Sequence, residues 1–399
     1  MNATRYSLFA ASAPGIEPLL ETELRSLGLR TARAEAGGVS FTADLRGIIR
    51  AHLGAGLAHS IRLRIARGNI MSFSHLEGFA KDLEWGHYFR RDEPFDVRAL
   101  SRASKLFHTG AIEERVAAII EQRAGARLER GAERVVHIRS LKNRMSFAID
   151  LSGAPLHQRG YRLETAKAPL REDLARALIV SSGWDRASHF VDPMMGAGTL
   201  PIEAALLSKN IAPGKRRAES GGFAFTGFPL FTEAAALLQD ERARFEALER
   251  EGSAPIFGSD RDRGAVEIAR RNAERAGLPP DAIQMNAASL SEAPGLKEPL
   301  PPSGLLAVNP PYGKRIGKKS ALIPLYQALG ERVRTLPEGF KVAMVAADPR
   351  LPRLAGSGLA PALLSDHGGV KIRFFFRSVS GEAEAPKAEE TEDHGEERE

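Results

Sequence analysis

The feature that most constrains this chain is a change of pattern near residue 165. From there on, the short apolar runs "HFVD", "PIFGSD", "AIQMN", "GLLAVN", "KVAMVA", "ALLSD" and "VKIRFFFRS" are separated by longer stretches of helical spacing. Parallel neighbours in a sheet need a crossover long enough to hold a helix, so this rhythm argues for an α/β domain whose mostly parallel sheet is covered by helices. The chemistry is expected there, over residues 154–380.

The preceding segments have a shorter pitch. Residues 1–68 read as a small α+β unit. "YSLFAAS", "GGVSFTAD" and "HSIRLRIARG" are strands, "LRGIIRAHLG" is a helix, and "GIEPLLETELRSLG" is a helix closed by Gly28. Residues 69–153 read as a second such unit, with strands at "PFDVRALS", "ERVVHIRSL" and "RMSFAIDLSG". Its helix, "GAIEERVAAIIEQRAG", puts Ile112, Val116, Ile119 and Ile120 on one face. "SRASKLFHTG" gathers Arg102, Lys105 and His108 before that helix. Lys105 and His108 are candidate phosphate contacts, although a solvated basic loop would look the same.

Charge is unevenly spread. The 399 residues carry +6, but the last nineteen, Gly381 to Glu399, hold nine acids against Lys387 and Arg398; removing that −7 leaves +13 for residues 1–380. A body this basic suits a polyanionic partner, and solubility as well. The acidic tail 381–399 has no apolar face to bury and reads as disordered. There is no cysteine, which excludes disulfides, thiolate zinc sites and a cysteine nucleophile. Nowhere are eighteen residues consecutively apolar, and Glu17, Glu21 and Glu23 follow the first apolar run. A soluble, cytoplasmic protein is expected, with neither a membrane nor a metal as partner.

Two motifs point to a nucleoside cofactor. "HFVDPMMGAGTLPIEAALL" is a strand, a glycine turn and a helix: Gly196 and Gly198 let backbone pass close to a ligand, and Thr199 can cap the helix. The third glycine of a dinucleotide fingerprint would fall at Pro201, which argues against a pyrophosphate on that helix. "PIFGSDRDRGAVEIARRNAERAGL" ends a second strand at Asp260, where an acid can accept both hydroxyls of a ribose, while Asp262 reads as the helix cap. A nucleoside without phosphates that fits is S-adenosylmethionine. Asn286 ends the third strand, where its amide could meet the adenine edge or simply terminate the strand.

"AVNPPYGKRIG" follows an apolar strand with an asparagine, two prolines and a tyrosine. The lone pair of a nucleobase amine is delocalised into the ring, so methylating it demands orientation more than a strong base. Asn309 and the carbonyl of Pro310 can each accept an N–H from that amine. Pro310 and Pro311 stiffen the turn, and Tyr312 offers a ring on which a flipped base stacks. Methylation at pyrimidine C5 needs a cysteine nucleophile, which is missing. An adenine N6 amine suits the motif as well as a guanine N2.

In order, these segments resemble the bacterial ribosomal RNA guanine-N2 methyltransferases that carry a THUMP domain and a class I methyltransferase domain. The resemblance spans about residues 5–380. It includes "LHQRGYR" at Leu156 to Arg162, "APLREDLARALIVSSGW" at Ala168 to Trp184, "DPMMGAGTLPIEAAL", the insertion bearing "NIAPG" and "FAF", and "NPPYG". It implies a ferredoxin-like unit over 1–68, a THUMP RNA-binding domain over 69–153, and a Rossmann-like sheet of seven strands, the last antiparallel, over 154–380. Asp192, Gly196 and Gly198 would then meet the methionine moiety of S-adenosylmethionine, Asp260 its ribose, Asn286 its adenine, and Asn309 to Tyr312 the base. Large-subunit (23S) ribosomal RNA would be the substrate, with transfer RNA the alternative. Met195 and Ala197 stand where Cys and Ser are usual, Asn286 where an Asp is, and Lys314 where an acid is common.

Overall fold

The computed structural model describes residues 4–164, 169–220, 222–251, 254–311, 322–355 and 358–377. The expected acidic tail, Tyr312 and Lys314 lie outside the described residues. The chain groups into two compact units, Met1–Leu163 with Lys209–Glu251 and Arg275–Gly277, and Glu164–Ser208 with Gly252–Glu274 and Leu278–Glu399. Among the described residues no helix is long and apolar enough to cross a membrane.

The first unit runs β1 (Tyr6–Ala11), α1 (Glu17–Ser26), β2 (Arg33–Glu35), β3 (Gly38–Ala43), α2 (Leu45–Gly54), β4 (Ser60–Asn69), α3 (Phe73–Lys81), β5 (Pro94–Arg102), α4 (Thr109–Ala124), β6 (Arg127–Leu128), β7 (Val135–Leu141) and β8 (Arg144–Asp150). Its strands make one sheet in the order β2-β3-β1-β4-β8-β7-β5-β6. Both α+β segments contribute to it, because β4 pairs with β1 on one side and with β8 on the other. Strand alternation divides the side chains: Leu8, Ala10, Ile61 and Leu63 are buried, while Arg62 and Arg64 point to the other face. Two elements that composition concealed are β2, all of whose residues are exposed, and α3, which Ser72 caps by accepting from the His75 N–H at 3.2 Å.

The second unit opens with α5 (Glu172–Ser181), β9 (His189–Asp192) and α6 (Thr199–Ser208). Residues 209–251 then depart to the first unit. They carry α7 (Lys215–Glu219) and α8 (Ala234–Glu246). Phe223 meets the buried His52 ring of α2 edge-on at 5.2 Å and Phe225 at a tilt at 4.8 Å. Arg46 and Arg244 reach the buried Glu241 at 3.2 and 3.1 Å.

The second unit resumes with β10 (Ile256–Asp260), α9 (Arg263–Arg275), β11 (Gln284–Ala287), β12 (Ser303–Val308), α10 (Ile323–Thr335), β13 (Gly339–Ala346), α11 (Arg350–Leu354), β14 (Ala360–His367) and β15 (Val370–Arg377). Its sheet has the order β11-β10-β9-β12-β13-β15-β14, parallel from β11 through β13, with β15 antiparallel to both neighbours. This is the seven-stranded, Rossmann-like arrangement expected of a class I methyltransferase. Both faces are covered: Val191, Leu306, Val308, Val342 and Met344 share a core with Tyr326, Leu329 and Val333 of α10, and Phe190, Leu305 and Val345 are equally buried. Continuous apolar strands such as Gly304–Val308 follow from burial on both sides.

Candidate functional site

The parallel strands β9, β10 and β12 all end at the same edge of the sheet. From β9 the chain adds strands first on one side, through β10 and β11, and then on the other, from β12, and at that switch a crevice opens at the carboxyl ends. An open cavity of about 940 Å³ lies there, lined by the turn after β9, by Asp260 to Asp262, by Ala288 to Ser291, by Asn309 to Pro311 and by Leu322 and Leu325.

The glycine turn is fastened from several sides. Asp192 is buried and accepts the Met194 N–H at 3.0 Å. The Met195 N–H donates to the Ser259 carbonyl at 2.9 Å, and the Gly196 N–H to Oδ2 of Asp260 at 3.0 Å. Gly198 sits at φ +84°, and a side chain there would come within 2.9 Å of Ala269 Cβ. Only glycine permits both the left-handed backbone and that approach of α9. Its carbonyl accepts from Ile202 at 3.0 Å, which makes Gly198 the residue before α6; Thr199 is the first helical residue instead of its cap. The tight turn brings the helix in one position earlier than the hydroxyl pattern suggests.

Asp260 carries two loads. Oδ2 takes Gly196 and Oδ1 takes the Asp262 N–H at 2.9 Å, so one carboxylate holds the turn after β9 beside the turn after β10. Each oxygen keeps a further lone pair for a ligand hydroxyl. Asp262 caps α9, accepting the Gly264 N–H at 2.8 Å. Burial pushes the Asp192 carboxyl well above the usual carboxylate range, and the neighbouring Asp260 charge adds to the rise. An acid so placed beside a cavity favours a cationic partner, which would restore its charged form.

Asn309 and Pro310 stand at the end of β12. Oδ1 of Asn309 is buried and has no hydrogen-bond partner among the described residues. Buried amide oxygens are rarely left so, and this one belongs to a residue lining the cavity. Asp192, Gly196, Asp260, Asn309, Pro310 and Pro311 are thus brought together around one space. Asn286 is not: it is exposed on the edge strand β11, and the cavity is lined by the residues just beyond it, Ala288 to Ser291. Lys105 and His108 are exposed in the first unit, with the Lys105 N–H held by Oδ1 of Asn143 at 2.7 Å.

The sequence puts Asn272 on the inner face of the helix after Asp260, but the structure gives it a role that sequence did not. Asn272 of α9 is fully buried and donates from Nδ2 to the Ala197 carbonyl at 3.1 Å, bracing the glycine turn from behind. The signal was present, since Asn272 is the one polar member of the face formed by Ala265, Ile268, Ala269 and Ala276.

Comparison with known proteins follows the same lines. Residues 159–360 match the family model described as the RMKL-like methyltransferase domain, and residues 7–59 match the RlmL ferredoxin-like domain. The chain is 33% identical over 403 aligned residues to the ribosomal RNA large subunit methyltransferase K/L of Syntrophotalea carbinolica, covering 95% of this chain but 55% of that protein. Thus it spans about half the length of the curated relative. Among solved structures, SMU.472, crystallised with SAH, aligns at 30% identity and a TM-score of 0.81 over 94% of this chain and 98% of that one. A Listeria monocytogenes protein described as a "predicted N6-adenine-specific DNA methylase" aligns at 29% identity and a TM-score of 0.80, covering 93% and 96%.

Proposed function

Because the chain belongs to the family of RMKL-like methyltransferase domains, we propose that it transfers a methyl group from S-adenosylmethionine to the exocyclic N2 amine of a guanosine in 23S ribosomal RNA. The observation that carries the chemistry is the buried Oδ1 of Asn309, without a hydrogen-bond partner among the described residues, beside the cavity that Asp192 and Asp260 also line. An acceptor so placed is suited to an N–H that arrives with a substrate. The name of the Syntrophotalea carbinolica relative supports ribosomal RNA, and the SAH-bound relative supports the cofactor.

The residues present fit that cofactor. Asp192 and Gly196 would hold its methionine end, with Gly198 outside the cavity lining shaping the turn, and Asp260 its ribose; the exposed position of Asn286 leaves Ala288 to Ser291 nearer its adenine. When bound, S-adenosylmethionine supplies an electrophilic methyl group on a sulfonium. Asn309 and the Pro310 carbonyl accept the two N–H groups of the target amine, which turns its remaining lone pair toward that methyl group. The amine nitrogen forms the new C–N bond as the S–C bond breaks, then sheds a proton to solvent, so no strong base is required. Tyr312 is proposed to stack on the extruded base. The 69–153 segment is proposed as a THUMP-type RNA-binding domain, with Lys105 and His108 on phosphate.

A second reading, adenine N6, is favoured by the description of the Listeria relative and by the same Asn309 geometry. Nucleoside mass spectrometry of ribosomal RNA treated with the protein and isotope-labelled S-adenosylmethionine separates the two. Label in N2-methylguanosine is expected. Label in N6-methyladenosine overturns the guanine assignment, and label confined to transfer RNA keeps the chemistry but overturns the ribosomal substrate.

A further inference from the structure

The eight-stranded sheet of the first unit has a face that its sequence makes unusually basic. Register places Arg98 opposite His137, Leu100 opposite Arg139, and Arg102 opposite Leu141. On the next strand Arg139 faces Ser146 and Leu141 faces Arg144. Beyond that, Ser146 faces Arg67 and Ala148 faces Arg64. Residues two apart share a face, so all of these side chains emerge on one side. Arg64 and Arg67 are three apart and would normally diverge. The irregularity in β4 between Arg64 and Ala66 inserts an extra residue and returns both to the same face.

This arrangement is crowded with like charge. Arg62, on the same face, lies 4.0 Å from Asp150, Arg98 is 3.2 Å from Asp96, and Arg64 pairs with Glu35. Arg67, Arg102, Arg139 and Arg144 are exposed and form no salt bridge among the described residues. Burial pulls the Arg62 guanidinium below its ordinary value, and repulsion from Arg98 and Arg139 adds to that fall. Cations held this close together, four of them outside any salt bridge among the described residues, leave a strong positive potential on the face. Leu100 and Leu141, 64% and 40% exposed, stand among them and offer apolar contact. At the end of β5 the loop is braced against the β7–β8 turn, where the Asn143 N–H donates to Ser104 Oγ at 3.0 Å and the Lys142 N–H to the Arg102 carbonyl at 3.2 Å. There Phe107 is 65% exposed, with its ring 4.1 Å from that of His108.

We propose that this arginine-lined sheet face is a docking surface for the phosphodiester backbone of RNA, continuous with Lys105 and His108 at its end. The inference rests on the reading of the substrate as RNA and adds the surface that grips it. Guanidinium groups pair with phosphate oxygens bidentately, and the rows of a sheet hold successive groups at fixed spacing. The exposed rings at Phe107 and His108 give an unpaired base a place to stack.

The test uses the full chain with Arg67→Ala, Arg139→Ala and Arg144→Ala combined. Binding is read by fluorescence anisotropy with a fluorescein-labelled hairpin transcribed from large-subunit ribosomal RNA, across a salt series. The expected loss is roughly 10-fold or more, and the slope of log affinity against log salt becomes shallower by about 2, as for three lost phosphate contacts. Arg→Lys at the same three positions keeps the charge and should recover much of the affinity. Arg91→Ala with Arg123→Ala, exposed arginines beside and on α4, should leave binding unchanged. Circular dichroism and S-adenosylmethionine calorimetry should match the wild type throughout. An unchanged affinity and slope in the triple variant overturns the surface while leaving RNA as substrate. Equal losses in the α4 control, or competition by polyglutamate as effective as by RNA, overturn it too. If the wild type itself binds no RNA in a salt-dependent way, the RNA reading fails first.

Discussion

The two sheets of this protein place their polar chemistry in opposite ways. In the seven-stranded sheet both faces are covered, and every residue of β12 from Gly304 to Val308 is buried. Such a sheet can present functional groups only where its strands end, and Asp192, Asp260 and Asn309 are all there. In the eight-stranded sheet one face is left partly open, and β5, β7 and β4 expose Arg98, Arg102, Arg139 and Arg67 on it while Arg62 and His137 stay half-buried. A doubly covered sheet concentrates its site into a point, whereas a half-covered sheet spreads it over an area. Single substitutions should therefore be severe in the first and graded in the second.

The sharpest test of the concentrated site is Asn309→Ala. If Asn309 aims the amine as proposed, its loss should lower turnover about 100-fold or more in single-turnover assays, with S-adenosylmethionine affinity changed little. A parallel loss of cofactor affinity would move Asn309 from base to cofactor. Next comes Asp260→Ala, which should weaken S-adenosylmethionine binding by roughly 10- to 100-fold in calorimetry, since charged hydrogen bonds contribute about 1.5–3 kcal/mol each. It also releases the Gly196 N–H, so the glycine turn should exchange its amide hydrogens faster.

A smaller effect separates the units by pH. Burial lowers the His52 pKa from 6.5 to about 4, assisted by the Arg217 charge. A depressed folded-state value means that its contribution is present above pH 6.5 and is lost as pH falls from 6.5 through about 4. Melting of the first unit should drop over that window by roughly 2–4 °C for each 1 kcal/mol lost, and His52→Gln should flatten the profile. Asp192→Asn has the least expected effect on stability and the opposite sign. The folded state favours the neutral Asp192 carboxyl, a contribution present at acid pH and lost as pH rises past the ordinary carboxylate range. At neutral pH the neutral amide should raise the melting temperature of the unliganded protein by about 2 °C or less, while cofactor binding weakens.

Much of this was written in local pattern. The seven strands of the second unit stand where apolar runs of strand length fall, and "DPMMGAGT" and "NPPY" marked the ends of β9 and β12. These features are short-range: burial on both faces forces continuous apolar runs, and a tight turn forces glycine, whatever else the chain does. β2 and α3 were illegible because neither has a strong period of its own. The cap of α6 was misplaced by one residue because a hydroxyl signal cannot report the φ of the glycine before it.

Sequence by itself determined the alternation of elements, the acid at the end of β10, the asparagine at the end of β12 and the excess of arginine. Tertiary structure alone decided which of them meet. It joined Gly196 to Asp260, 64 residues apart, set Asn272 behind Ala197, moved Asn286 outside the cavity lining, sent residues 209–251 to the other unit, and gathered arginines from β4, β5, β7 and β8 onto one face. The reason is that strand order and register are collective properties: each is fixed by many weak apolar contacts between distant segments, and a single added residue in β4 turns a charge from one face to the other.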